Sequence, residues 1–275
     1  MDDLVSVEWL AANLRAADLV VLDASWHLPA ANRDPRQEYE ARHIPGARFF
    51  DIDMLADHDA ATSHMLPSAE AFGAGMEALG VGRDDRIVVY DDSALRTSAR
   101  AWFMLRHYGA RQVAILDGGL AAWLAAGQPV TDAPPPGRPA RFAATAQPGE
   151  VVTKRDLLQG VGVPVADARG PGRFAGSEPE PRPGVEPGHI PGARNLPFSA
   201  LYGEDGRFRP VAELRRAFAA AGIDPERPFV ATCGSGVTAN SLIFAARLIG
   251  NRDTRLYDGS WSEWGSDPQT PKEQG

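Results

Sequence analysis

Cys233 is the only cysteine in 275 residues, and it opens the run Cys233-Gly234-Ser235-Gly236-Val237-Thr238-Ala239. Gly234 and Gly236 on either side of a serine let successive backbone N–H groups turn inward, forming a concave anion nest; a helix starting just beyond adds the positive end of its dipole. A thiol at the base of such a nest is stabilised as its thiolate, the nucleophilic form. A free cysteine often does no more than end a buried strand as a small apolar residue. Here the Gly-x-Gly that follows gives up packing and backbone order with no structural return, so the residue reads as a nucleophile. One thiol cannot close an internal disulfide or build a multi-cysteine zinc site, which excludes a stapled secreted scaffold and the common zinc modules.

A second chemical feature is the stretch from Asp167 to Arg182, Asp-Ala-Arg-Gly-Pro-Gly-Arg-Phe-Ala-Gly-Ser-Glu-Pro-Glu-Pro-Arg. It is too rich in Gly and Pro to read as regular structure. Arg173 and Arg182 therefore sit on a loop, where guanidinium groups can reach a carboxylate in bidentate fashion.

The elements that position these residues come from a repeat. His43-Ile44-Pro45-Gly46-Ala47-Arg48 returns as His189-Ile190-Pro191-Gly192-Ala193-Arg194, and Asp117-Gly118-Gly119 with Trp123 returns as Asp258-Gly259-Ser260 with Trp264. Two homologous domains follow, at 1–130 and 151–275, joined by a linker over 131–150 whose prolines stiffen a chain that has no core of its own. Each half shows three short apolar runs: Leu19 to Asp23, Ile87 to Tyr90 and Val113 to Leu116 in the first, Val163 to Asp167, Phe229 to Thr232 and Thr254 to Tyr257 in the second. Helical spacing over Ser98 to Tyr108 and Asn240 to Ile249, each stopped by a glycine, alternates with them. Short continuous strands alternating with helices predict an α/β fold, a mostly parallel sheet flanked by helices, built twice.

Cys233 thus falls between a strand and a helix in the second half, and Asp91 or Asp92 occupies the matching place in the first. His43 and His189 recur in both halves, including the one without a nucleophile, so they are assigned to holding the repeated turn. Trp261 and Trp264 are read as packing the end of the second domain. The acidic balance, 36 Asp and Glu against 28 Lys and Arg, argues against nucleic acid as a partner. No apolar stretch is long enough for a membrane span, and the acidic N-terminal residues do not resemble a secretory signal; the expected address is cytoplasmic.

Taken together, the tandem domains, the His-Ile-Pro-Gly-Ala corners, the Asp-Gly-Ser-Trp-Ser-Glu-Trp end and the Cys233 loop resemble the two-domain rhodanese family of sulfurtransferases over nearly the whole chain. The resemblance implies that Cys233 takes sulfur from a donor as a persulfide and passes it to a second acceptor. Members that prefer thiosulfate typically carry cationic residues directly after the cysteine; Gly234 and Ser235 here are similar instead to the 3-mercaptopyruvate branch. That branch implies a proton relay of Ser235, His64 and Asp53, with Arg173 and Arg182 holding the donor's carboxylate and carbonyl. The N–H groups of the loop, including those of Gly234, Gly236, Val237 and Thr238, would stabilise the anionic sulfur. Pyruvate would leave, and the persulfide would pass to a small thiol, thioredoxin or cyanide, with no metal or organic cofactor. The alternatives are thiosulfate:cyanide sulfur transfer and, more distantly, a non-catalytic sulfur-binding module. A cysteine phosphatase would need arginine at the far end of the loop, where Ala239 stands.

Overall fold

Short strands, aliphatic at the centre of each sheet and polar at one edge, form two all-parallel five-stranded sheets in the computed structural model, which describes residues 1–275. In the first, β1 (Leu4–Val5), β2 (Leu19–Asp23), β3 (Arg48–Phe49), β4 (Arg86–Tyr90) and β5 (Gln112–Leu116) lie in the order β1-β5-β4-β2-β3. In the second, β6 (Val151–Val152), β7 (Val165–Asp167), β8 (Arg194–Asn195), β9 (Phe229–Thr232) and β10 (Thr254–Tyr257) repeat that order as β6-β10-β9-β7-β8. Both central strands, β4 and β9, are apolar because both faces are covered by helices.

The helices are α1 (Val7–Asn13), α2 (Pro35–Ala41), α3 (Ala69–Ala78), α4 (Ser98–His107) and α5 (Gly119–Ala125) in the first half of the chain. The second half holds α6 (Lys154–Gln159), α7 (Pro171–Ala175), α8 (Val211–Ala220), α9 (Ala239–Ile249) and α10 (Ser260–Trp264). Ser6, Asp34 and Ser68 cap α1, α2 and α3 with side-chain oxygens, and Thr153 with Asp156 makes a capping box on α6, each satisfying N–H groups that a helix start leaves unpaired. Val5, Leu10, Val88, Leu116 and Trp123 centre one core, and Val152, Val165, Val230, Tyr257, Trp261 and Trp264 the other. Burying each such side chain contributes about 1.5–3 kcal/mol.

The chain divides into two compact units whose boundaries cross the sequence halves. Unit 1 holds Met1–Ala56, Leu66–Gln147 and Glu204–Arg207; unit 2 holds Asp57–Met65, Pro148–Gly203 and Phe208–Gly275. Residues 131–147 thus belong to unit 1 and do not stand between the units as a bare connector. The strap has no core of its own, but its polar groups find partners on unit 1. Thr131 and His43 exchange backbone hydrogen bonds at 2.9 Å. Arg138 donates to both oxygens of Asp85 at 2.5 and 2.6 Å, and the buried Phe142 donates its N–H to Glu77.

The repeated corners take the structural role expected of them. His43 stacks on Tyr39 with its Nδ1 2.7 Å from the Tyr39 carbonyl oxygen, and His189 stacks on Phe174 with its Nδ1 2.9 Å from the Phe174 carbonyl oxygen.

Candidate active site

Cys233 follows β9, the central strand of unit 2, at its C-terminal end, where open α/β sheets place their ligands. It is 1% exposed. The five residues from Gly234 to Thr238 lead into α9, and the carbonyl oxygens of Cys233, Gly234, Gly236 and Val237 are tied down. Cys233 O accepts from Trp261 N, and Gly234 O accepts from both the N–H and the hydroxyl of Ser262. Gly236 O and Val237 O accept from the buried Asn240 Nδ2 at 2.6 and 3.0 Å. Because a trans peptide points its N–H opposite to its C=O, fixing these carbonyls turns the N–H groups of Gly234, Ser235, Val237 and Thr238 the other way. None of those four N–H groups has an acceptor within unit 2. The nest expected from the glycines is therefore formed and open.

Gly236 departs from expectation. Its N–H donates to Ser260 Oγ at 3.1 Å, as does that of Cys233 at 3.2 Å, while Ser260 Oγ donates to Tyr257 O. Its contribution is the backbone turn at φ 72°, which an L side chain adopts only with strain. Ser260 itself is a non-glycine residue at φ 51° and fully buried, a conformation that persists where the surroundings over-determine it.

Arg173 reaches this loop. A Cβ on Gly234 would lie 2.9 Å from Arg173 Nη2, so glycine is what lets the guanidinium close on the backbone next to the thiol. Arg173 rides on a short helix, α7, where an irregular loop was expected; Pro171 at its first turn and Gly176 in the left-handed cap conformation start and stop it. Its Nε and Nη2 both bond Glu180, so that edge of the guanidinium is filled, and Nη1 makes no hydrogen bond. Glu180 also accepts from Arg169, which pairs with Asp167 and lies 4.6 Å from the centre of the Trp261 ring. Arg182 donates to Ser262 Oγ at 2.5 Å, the same hydroxyl that holds Gly234 O.

His64, from the first half of the sequence, belongs to unit 2. Its Nδ1 is 3.0 Å from Ser235 Oγ, and it is 5% exposed with φ 67°. Asp53 lies in unit 1, where its Oδ2 accepts from Trp26 Nε1 at 2.8 Å.

Unit 1 shows what the same turn looks like when closed. Asp91 follows β4 as Cys233 follows β9, and its carboxylate fills its own nest, accepting from Ser93 N at 2.9 Å and Ser98 N at 2.8 Å. Ser25 Oγ takes the N–H of Asp92 and Ser93 Oγ that of Leu95. Burial pushes the Asp91 carboxyl up from its ordinary range. A nest filled from within has no room for an outside anion.

Glycines and the cysteine marked the loop in the sequence; Ser260, Ser262, Asn240, Glu180 and Arg169 did not stand out there. One signal was available for Ser260: aligning the repeats sets it against Gly119, which occupies the same left-handed conformation at φ 58°.

A parallel α/β unit with an open cysteine nest at the end of its central strand, repeated in a homologous unit whose nest is filled, defines a duplicated single-thiol α/β fold. Residues 6–126 and 153–267 match the rhodanese-like domain, and the chain belongs to the rhodanese family. It is 44% identical over 270 residues to 3-mercaptopyruvate sulfurtransferase of Rattus norvegicus, covering 95% of this chain and 91% of that one. It is 43% identical over 270 residues to thiosulfate sulfurtransferase of Gallus gallus, at 95% and 92% coverage. The crystal structure of the Escherichia coli 3-mercaptopyruvate sulfurtransferase SseA superposes with a TM-score of 0.86 at 37% identity, covering 96% of this chain and 100% of that one.

Proposed function

We propose that this protein is a sulfurtransferase that moves sulfane sulfur from 3-mercaptopyruvate, through a persulfide on Cys233, to a thiol or cyanide acceptor. The observation that carries the reading is the open nest around Cys233 with Arg173 drawn against it by Gly234. The Cys233 thiolate attacks the donor sulfur, forming the S–S bond as the S–C bond breaks. The electron pair of that bond leaves on pyruvate enolate, which takes a proton to become pyruvate. The N–H groups of Gly234, Ser235, Val237 and Thr238 stabilise the charge on sulfur, and Arg173 and Arg182 orient the pyruvate moiety. Ser235 with His64 supplies a proton path, and Asp53 completes it in this reading. Every role is filled by side chains and backbone of this chain, and no metal or organic cofactor takes part.

With no second cysteine, the persulfide has no internal resolving thiol, so its sulfur leaves to an external acceptor such as a small thiol or thioredoxin. A lone thiol that must remain reduced between turnovers suits the cytoplasm. No helix is long and apolar enough to cross a membrane.

The test is mass spectrometry after donor treatment together with the specificity constants kcat/KM for both donors. One added sulfur on Cys233, absent from Cys233→Ser, and a larger value with 3-mercaptopyruvate are expected. A folded enzyme that stays unmodified overturns the persulfide. The likeness to the chicken thiosulfate enzyme supports thiosulfate as the second reading, and a clear preference for thiosulfate would establish it. Binding without turnover of either donor would instead mark a sulfur-binding module.

A further inference from the structure

Glu180 is a carboxylate whose side chain is 4% exposed, in direct contact with Arg173, the arginine that lies against Gly234 of the cysteine loop. Its Oε1 accepts from Arg169 Nη1 at 2.7 Å and Arg173 Nε at 3.3 Å, and its Oε2 accepts from Arg173 Nη2 at 2.5 Å. Arg169 is 1% exposed and also bonded to Asp167. The row Asp167, Arg169, Glu180, Arg173 therefore alternates in sign and sums formally to zero, although it ends on a cation that touches the cysteine loop. Packing alone does not require this, since Asp167 already pairs with Arg169 in the sheet-end position.

We propose that Glu180 is the positioning residue that sets donor selectivity by charge; this rests on the reading of Arg173 as a donor-binding group. Glu180 holds the Nε–Nη2 edge of Arg173, so the guanidinium meets the donor with its Nη1 end in one orientation. Its negative charge also lowers the positive potential at the nest. A change of one local charge alters the binding of a doubly charged donor twice as strongly, in free energy, as that of a singly charged one. Mercaptopyruvate in its thiol form carries one negative charge and thiosulfate two, so Glu180 discriminates against thiosulfate.

The experiment compares wild type, Glu180→Gln and Glu180→Asp with both donors at two ionic strengths, after thermal melting has shown each variant folded. Glu180→Gln is expected to shift the ratio of thiosulfate to mercaptopyruvate kcat/KM toward thiosulfate by roughly tenfold, with a steeper salt dependence. Glu180→Asp keeps the charge and is expected to raise KM for both donors while holding their ratio within about twofold of wild type. Equal losses for both donors in Glu180→Gln, or the same ratio shift in Glu180→Asp, would overturn the inference. The wild-type ratio alone tests which donor the enzyme prefers, so failure of that reading is distinguishable from failure of this one.

Discussion

His64 Nδ1 and Ser235 Oγ lie 3.0 Å apart although 171 residues separate them in the chain. The histidine is carried by the Asp57–Met65 excursion of the first half into unit 2. Its left-handed backbone, φ 67°, marks a residue held where its surroundings put it. Ser235→Ala and His64→Asn are expected to lower kcat with mercaptopyruvate by about 100-fold or more, the range of a lost proton-transfer group. A pH–rate profile that loses one limb in both variants checks the shared relay; unchanged profiles would leave the pair structural.

Gly234 and Gly236 should fail differently when changed to alanine. At Gly234 the methyl group pushes on Arg173 Nη2, the same nitrogen that Glu180 holds, so KM for the donor rises about tenfold, a loss near that of one charge-assisted hydrogen bond. At Gly236 the obstacle is φ 72°, and stability falls by about 1–2 kcal/mol. Steady-state kinetics and thermal melting of the two variants separate the effects.

Ser260→Gly should trade strain for function. Glycine relieves the φ 51° backbone but leaves the N–H groups of Cys233 and Gly236 without their acceptor. Relieved strain and two lost buried hydrogen bonds oppose each other, so the melting temperature is expected to move little while kcat/KM drops about tenfold. Unit 1, with Gly119 there, is the natural counterpart.

Asp23 gives a pH dependence to stability. It is the counterpart of Asp167, but Ser25 stands where unit 2 has Arg169, and burial raises its carboxyl to about 6. The folded protein therefore holds this proton more tightly than the unfolded chain, whose value is about 3.9. The stabilisation is fully present below pH ~4 and lost as pH rises through about 6, an amount of about 3 kcal/mol. Asp23→Asn should flatten that part of the curve of melting temperature against pH; an unchanged slope between pH ~4 and ~6 refutes the assignment.

Much of the fold was legible because its signals are local. The apolar runs ending at Asp23 and Asp167, the helix-stopping Gly109 and Gly250, and the two His-Ile-Pro-Gly corners each announce an element within a few residues. The helix on which Arg173 sits was hidden by its own glycines and prolines. Pro171 and Gly176 read as loop residues until one is seen to start a turn of helix and the other to end it. The strap over 131–147 was hidden likewise, since prolines say that a segment lacks a core but not that distant residues of its own unit, such as Asp85 and Glu77, will supply its partners.

By itself the sequence determined that there are two like domains, that only one carries a thiol, and that glycines surround it. Tertiary structure alone decided that the nest is open in one unit and filled by Asp91 in the other. It also brought His64 to Ser235 and seated Glu180 between two arginines. The reason is physical: a glycine permits a backbone turn wherever it occurs, but the direction of each N–H depends on what holds the opposite carbonyl. Those holders, Trp261, Ser262 and Asn240, include residues of another element that only folding brings beside the loop.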